Sequence, residues 1–132
     1  MIVNLTQHPA SADQIAVGVV DLAGEELASL KQALTFDACP TAEEIRERAE
    51  YVAELACYNG LGGDEGDSPM PQQAMIGGAL WLMAPLAAEL RARSIEPVFA
   101  FSVRETEEQQ QPDGSVRKVA VFRHAGFVPA IA

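Results

Sequence analysis

Cysteine is scarce in this chain of 132 residues: Cys39 and Cys57 are its only two. They make neither a ligand cluster nor a disulfide framework, and they suit a reducing compartment, where each is expected to serve as a small buried hydrophobe. Histidine is equally sparse, with His8 and His124 at opposite ends and no His-x-x-x-His spacing, so neither a zinc site nor any cofactor is expected. Basic residues number nine against 19 acidic ones, a net charge of −10 whose average field repels a long polyanionic duplex. Long apolar runs are missing as well. The longest, Ala79–Ala88, is too short to span a bilayer and contains Pro85. No serine nucleophile elbow occurs. The start, Met1-Ile2-Val3-Asn4, lacks the basic region and apolar stretch of a signal peptide, so a cytoplasmic protein is expected.

What is present fits one domain over residues 1–132, with 48% hydrophobic residues to build its core. Ile2–Leu5 and Val17–Leu22 are short β-prone runs. Ser11-Ala12-Asp13-Gln14 has capping-box spacing for a brief helix, and Glu25–Leu34 is helix-like. Thr41-Ala42-Glu43-Glu44 is a stronger capping box, and beyond it Ile45, Ala49, Val52 and Ala56 recur at helical spacing while Glu43, Glu47, Glu50 and Glu54 stay wet. Residues 59–72, with four glycines and two prolines, read as a loop reaching toward a pocket near Gly77. Asp64, Glu65 and Asp67 within it lack the spacing of a calcium loop.

Ala79–Arg93 reads as a helix whose regular part starts at Pro85, with Trp81 and Met83 as core packing. Pro97–Val103 is apolar on both alternating faces, as in a mid-sheet strand covered on both sides. Pro112-Asp113-Gly114-Ser115 signals a turn and Val116–Phe122 a returning strand, so that the polar stretch Glu105–Ser115 becomes a projecting connection. Alternating strands and helices predict an α/β fold with a mostly parallel sheet and a C-terminal antiparallel hairpin.

If the strands starting at Ile2, Gln73 and Val98 run parallel, their C-terminal ends bring Thr6, Gln7 and His8, the pair Gly77 and Gly78, and Ser102 and Arg104 to one sheet edge. Open α/β sheets bind ligands at that edge. Glycines before a helix let backbone N–H groups approach an anion closely. Arg104 offers a planar fork for phosphate, with a surface pairing to Glu105 or Glu107 as the alternative. The returning strand is expected to bring Arg117 and Lys118 to the same edge and to leave Arg123 and His124 at the opposite one, His124 in a structural role beside Phe122 and Phe127. The paired carboxylates Glu25/Glu26 and Glu43/Glu44 are accounted for by helix starts.

Asn4-Leu5-Thr6-Gln7-His8-Pro9-Ala10-Ser11, Gly77-Gly78-Ala79, Pro97–Arg104, Gly114–Val119 and Val121–Phe127, taken in order, resemble the small stand-alone CRISPR-associated proteins with a Rossmann-like, CARF-like ring-nuclease domain. The resemblance implies a three-layer Rossmann-like fold and a homodimer that binds cyclic oligoadenylate and cuts it without a metal, leaving a 2′,3′-cyclic phosphate. Carried onto this chain, it makes His8 and Arg104 catalytic, with Thr6, Gln7, Gly77, Gly78, Ser102 and Lys118 holding the ligand. Two other readings stand beside it: a small-anion or nucleotide binding module without turnover, and an acidic interaction protein of a mobile element. The strongly negative charge, and Leu80 and Trp81 after the glycines, depart from the positive, polar cleft of a ring nuclease.

Overall fold

Every backbone polar group in the first strand, β1 (Ile2–Leu5), has to find a partner away from water, because all four of its residues are buried. It finds them in two parallel neighbours, β2 (Val19–Asp21) on one side and β3 (Gln73–Ile76) on the other. The structure is a computed structural model and describes residues 1–57 and 70–131. The loop expected over 59–72 and its acidic trio therefore lie, except for residues 70–72, outside the described residues. Beyond β3 come β4 (Glu96–Gln110), parallel to it, and β5 (Val116–Pro129), antiparallel to β4. The result is a mixed α/β fold with one five-stranded, mostly parallel sheet in the order β2-β1-β3-β4-β5.

The first three helices begin where local chemistry says they should. Helix α1 (Ala12–Ala16) has both bonds of its capping box, Gln14 N to Ser11 Oγ at 3.2 Å and Ser11 N to Gln14 Oε1 at 3.0 Å. Helix α2 (Gly24–Ala33) carries Glu25 and Glu26 in its first turn and Lys31 in its last, in the sense that suits the helix dipole. Helix α3 (Ala42–Cys57) starts with Glu44 N donating to Thr41 Oγ1 at 3.1 Å. The Glu44 side chain turns forward to Arg48 at 2.9 Å, so only half of the expected box forms. Arg48 also donates to the carbonyls of Ala33 and Thr35, closing the C-terminal end of α2, and lies 4.3 Å over the Phe36 ring.

Helix α4 (Leu80–Ala92) begins at Leu80 rather than at Pro85. Pro85 gives up only the bond to the Trp81 carbonyl, and packing of Leu82, Leu86 and Leu90 outweighs that loss, each side chain being worth roughly 2 kcal/mol when buried. Trp81 is not core packing: it is 51% exposed and meets Phe36 in a T-shaped contact, at 5.5 Å between ring centroids. Nor are the cysteines buried. Cys39 is exposed, and Cys57 is half-buried at the end of α3, where burial pushes its thiol up against the opposing pull of Arg93.

The two faces of the sheet are covered unequally. Val3, Leu5, Ala74 and Ile76 pack into a large cluster with apolar side chains of α2, α3 and α4. Ile2, Val19, Met75 and Val98 point the other way into a small cluster joined by Ala10 and Phe127, and α1 has no buried residue to add.

Pro97–Val103 is not a strand covered on both sides. Strand β3 ends at Ile76, and its last partner on β4 is Val98. Beyond that point β4 has only β5 beside it, leaving Phe101 52% exposed. Glu105–Gln110 is strand, not connection, and only Gln111–Ser115 forms the turn. There Asp113 Oδ1 accepts from Ser115 N at 2.9 Å and from Ser115 Oγ, which holds the Asp113 carboxyl below its usual range, and Gly114 takes a positive φ of 87°. Cross-strand pairs extend the ribbon, Arg123 reaching Glu107 at 3.2 Å and Glu105 at 3.7 Å. The longer hairpin reverses the expected ends: His124 lies opposite Ser102 near the sheet, while Arg117 and Lys118 lie far out opposite Gln109 and Glu108.

Candidate functional site

Asn4 organises the first wall of the site. It is the one buried polar residue among the described residues, 3% exposed, in a strand of otherwise apolar side chains. Its Oδ1 accepts from Thr6 N at 2.9 Å and Thr6 Oγ1 at 2.7 Å, while its Nδ2 donates to the His8 carbonyl and to Asp21 Oδ1, both at 2.8 Å. Asp21 in turn accepts from Ala10 N at 3.1 Å. The loop after β1 is thus pinned at Thr6, His8 and Ala10 by side chains of two adjacent strands. Sequence reasoning missed Asn4 and Asp21 as the loop's anchors, although a polar residue inside Met1-Ile2-Val3-Asn4-Leu5 is a signal, since a buried amide must be hydrogen-bonded.

The second wall follows β3. A Cβ added to Gly77 would sit 3.4 Å from Thr6 Cγ2, so the loops after β1 and β3 touch there. Gly78 has a φ of +137°, a conformation that side-chain-bearing residues rarely adopt. Directly after it α4 starts without a capping side chain from Ala79 and without an acidic residue in its first turn. Its positive end is therefore uncompensated from within the helix.

The third wall is the hairpin. The register between β4 and β5 shifts at Phe101/Ser102, where Ala125 is the extra residue of a β-bulge. Directly opposed residues share a face, so the bulge puts His124 and Phe122 on the same face as Phe127, which a regular strand would not do. The His124 ring lies 4.7 Å from Phe127, and its Nδ1 is buried with no hydrogen-bond partner among the described residues.

Between these walls, at the carboxyl edge of the parallel strands, lies a cleft of about 850 Å³. It sits where the chain leaves β1 toward β2 and β3 lies on the other side, the topological position at which open α/β sheets take ligands. Thr6, Gln7, His8, Gly77, Gly78 and Ser102 all line it, together with Phe99 and Phe122. Among the described residues, none of its lining side chains is a carboxylate. Arg104 and Lys118 do not line it. Arg104 is exposed, two residues beyond Ser102 on the same face and so about 7 Å farther out, and it forms no ion pair among the described residues. Neither of its expected surface partners holds it, because Glu105 and Glu107 engage Arg123. Lys118, opposite Glu108, is farther out still. A second cavity of about 140 Å³ lies behind the first loop, lined in part by Asp21 and Lys31. It is too small for a nucleotide.

Across residues 1–128 the sequence matches the family described as Uncharacterized protein MJ1673 family. The chain belongs to that family. No curated protein and no solved structure matches it. Among the described residues no helix is long and apolar enough to cross a membrane.

Proposed function

We propose that the cleft binds cyclic oligoadenylate and opens it to linear products ending in a 2′,3′-cyclic phosphate, within a Rossmann-like, CARF-like frame of the ring-nuclease type. One observation carries this reading: in a chain of net charge −10, the described residues that line the cleft include no carboxylate and offer amide, hydroxyl and imidazole groups instead. Such a composition suits a ligand that is itself anionic. Its volume falls in the range of roughly 300–1,000 Å³ that small-molecule sites occupy, enough for one nucleotide unit.

Each wall then has a task. The Gly77 and Gly78 amides and the start of α4 receive the phosphate. Phe99 presents its ring to a base. His8, exposed at the loop and held by its own carbonyl, takes the proton of a ribose 2′-OH. The 2′ oxygen then bonds to the adjacent phosphorus, the bond from phosphorus to the 5′ oxygen breaks, and that oxygen leaves with a proton. Holding the 2′-OH in line supplies much of the rate, and backbone N–H groups stabilise the charge growing on the phosphate oxygens.

Incubating the purified protein with cyclic tetra- and hexaadenylate in EDTA should yield linear products, and His8→Ala should lower the rate by about 10²-fold or more. Intact rings after prolonged incubation would remove the catalytic reading. A second reading, binding without turnover, draws on Arg104 lying outside the lining, which leaves His8 without a cationic neighbour in the cleft. Calorimetry showing tight binding and no product would select it.

A further inference from the structure

Among the described residues, no third strand pairs with the outer part of the hairpin. From Ser102↔His124 to Gln110↔Val116, nine consecutive pairs are held by β4 and β5 alone, and a two-stranded ribbon is marginally stable by itself in water. The two faces of this arm differ. On one, Arg123 reaches both Glu105 and Glu107, and Arg117 stands farther out opposite Gln109. The other continues the cleft wall and carries Arg104, Thr106 and Glu108 on β4 beside Phe122, Ala120 and Lys118 on β5. None of Arg104, Glu108 and Lys118 forms an ion pair among the described residues. Phe122 is 73% exposed and Val116 61%.

We propose that this face is a self-association surface on which a second copy of the chain packs, the two arms antiparallel about a two-fold axis passing near Thr106 and Ala120. The charge pattern selects that occupant. Along β4 a cation stands two residues before Thr106 and an anion two residues after it, so the rotation sets Arg104 over the partner's Glu108 and Glu108 over the partner's Arg104. Along β5 the same rotation sets Phe122 over the partner's Lys118, an aromatic face under an ammonium group, again twice. Small side chains, Thr106 and Ala120, stand at the axis where the ribbons approach most closely. An isologous contact requires such a self-complementary pattern. An unrelated partner does not.

The symmetry has a consequence for the site. The partner's Gln110 falls over Ser102 and the partner's Val116 over His124, which carries the partner's turn at Gln111–Ser115 across the mouth of the cleft. Each cleft is then closed by the other chain's arm. This pairing is independent of what the cleft binds.

Sedimentation of the full-length protein at micromolar concentration should show two chains. Arg104→Glu sets two carboxylates face to face in each of two symmetric contacts, and Glu108→Arg sets two cations likewise. Either variant should weaken association by about a hundredfold. The double variant exchanges the partners and should restore the dimer. Circular dichroism of each variant shows that it remains folded. A monomeric wild-type protein overturns the proposal, as does a dimer indifferent to the single reversals, or a double variant that stays monomeric.

Discussion

Asn4 holds more of the site in place than any residue that lines it. All four of its hydrogen bonds end on the first loop or on Asp21, and water cannot replace them at 3% exposure. Asn4→Leu leaves the Asp21 carboxylate and the His8 carbonyl short of a donor, and it should cost on the order of 2–3 kcal/mol in urea unfolding. Asn4→Asp should cost at least as much, because a carboxylate cannot donate and would face Asp21. In the sequence, His8 stands out only as a polar residue just after a strand. Its place in the cleft follows from a side chain four residues earlier, and no local pattern announces that bond.

At the scale of elements, the helices follow their local signals closely. Ser11 and Thr41 both cap, and Ala49, Val52 and Ala56 are buried with Ala53 while Glu43, Glu47, Glu50 and Glu54 are exposed. Thr41→Ala should therefore lower stability by about 1 kcal/mol, read as a shift in the denaturation midpoint with an unchanged slope. The strands behave differently. Pro97–Val103 has the composition of a central strand, yet its burial is decided by β3, which ends after four residues and leaves the rest of β4 beside β5 alone. The length of the hairpin was hidden for a related reason: polar residues from Glu105 to Gln110 read as loop, but in an exposed ribbon polar side chains are what a strand should carry. The bulge at Ala125 has no composition signal beyond Gly126, and it alone turns Phe122 and His124 to the cleft side.

At the scale of the molecule, a net charge of −10 repels itself, and among the described residues the ion pairs, such as Arg93 with Glu89 at 2.7 Å, engage few of the carboxylates. Raising sodium chloride from low to physiological strength should raise the melting temperature by a few degrees, since salt screens exposed charges beyond about 10 Å at 0.1 M. A melting point unmoved or lowered by salt would contradict that expectation. The sequence by itself determined the strand-helix alternation, the capped starts of α1 and α3 and the parallel edge on which Thr6, Gln7, His8, Gly77, Gly78 and Ser102 meet, because capping and periodicity act over a few residues. Only the tertiary structure decided how far β4 and β5 run alone, which face His124 and Phe122 take, and that Arg104 stands outside the cleft. Those outcomes depend on where a neighbouring strand stops and on one extra residue in a ladder, and both are set by contacts between segments far apart in the chain.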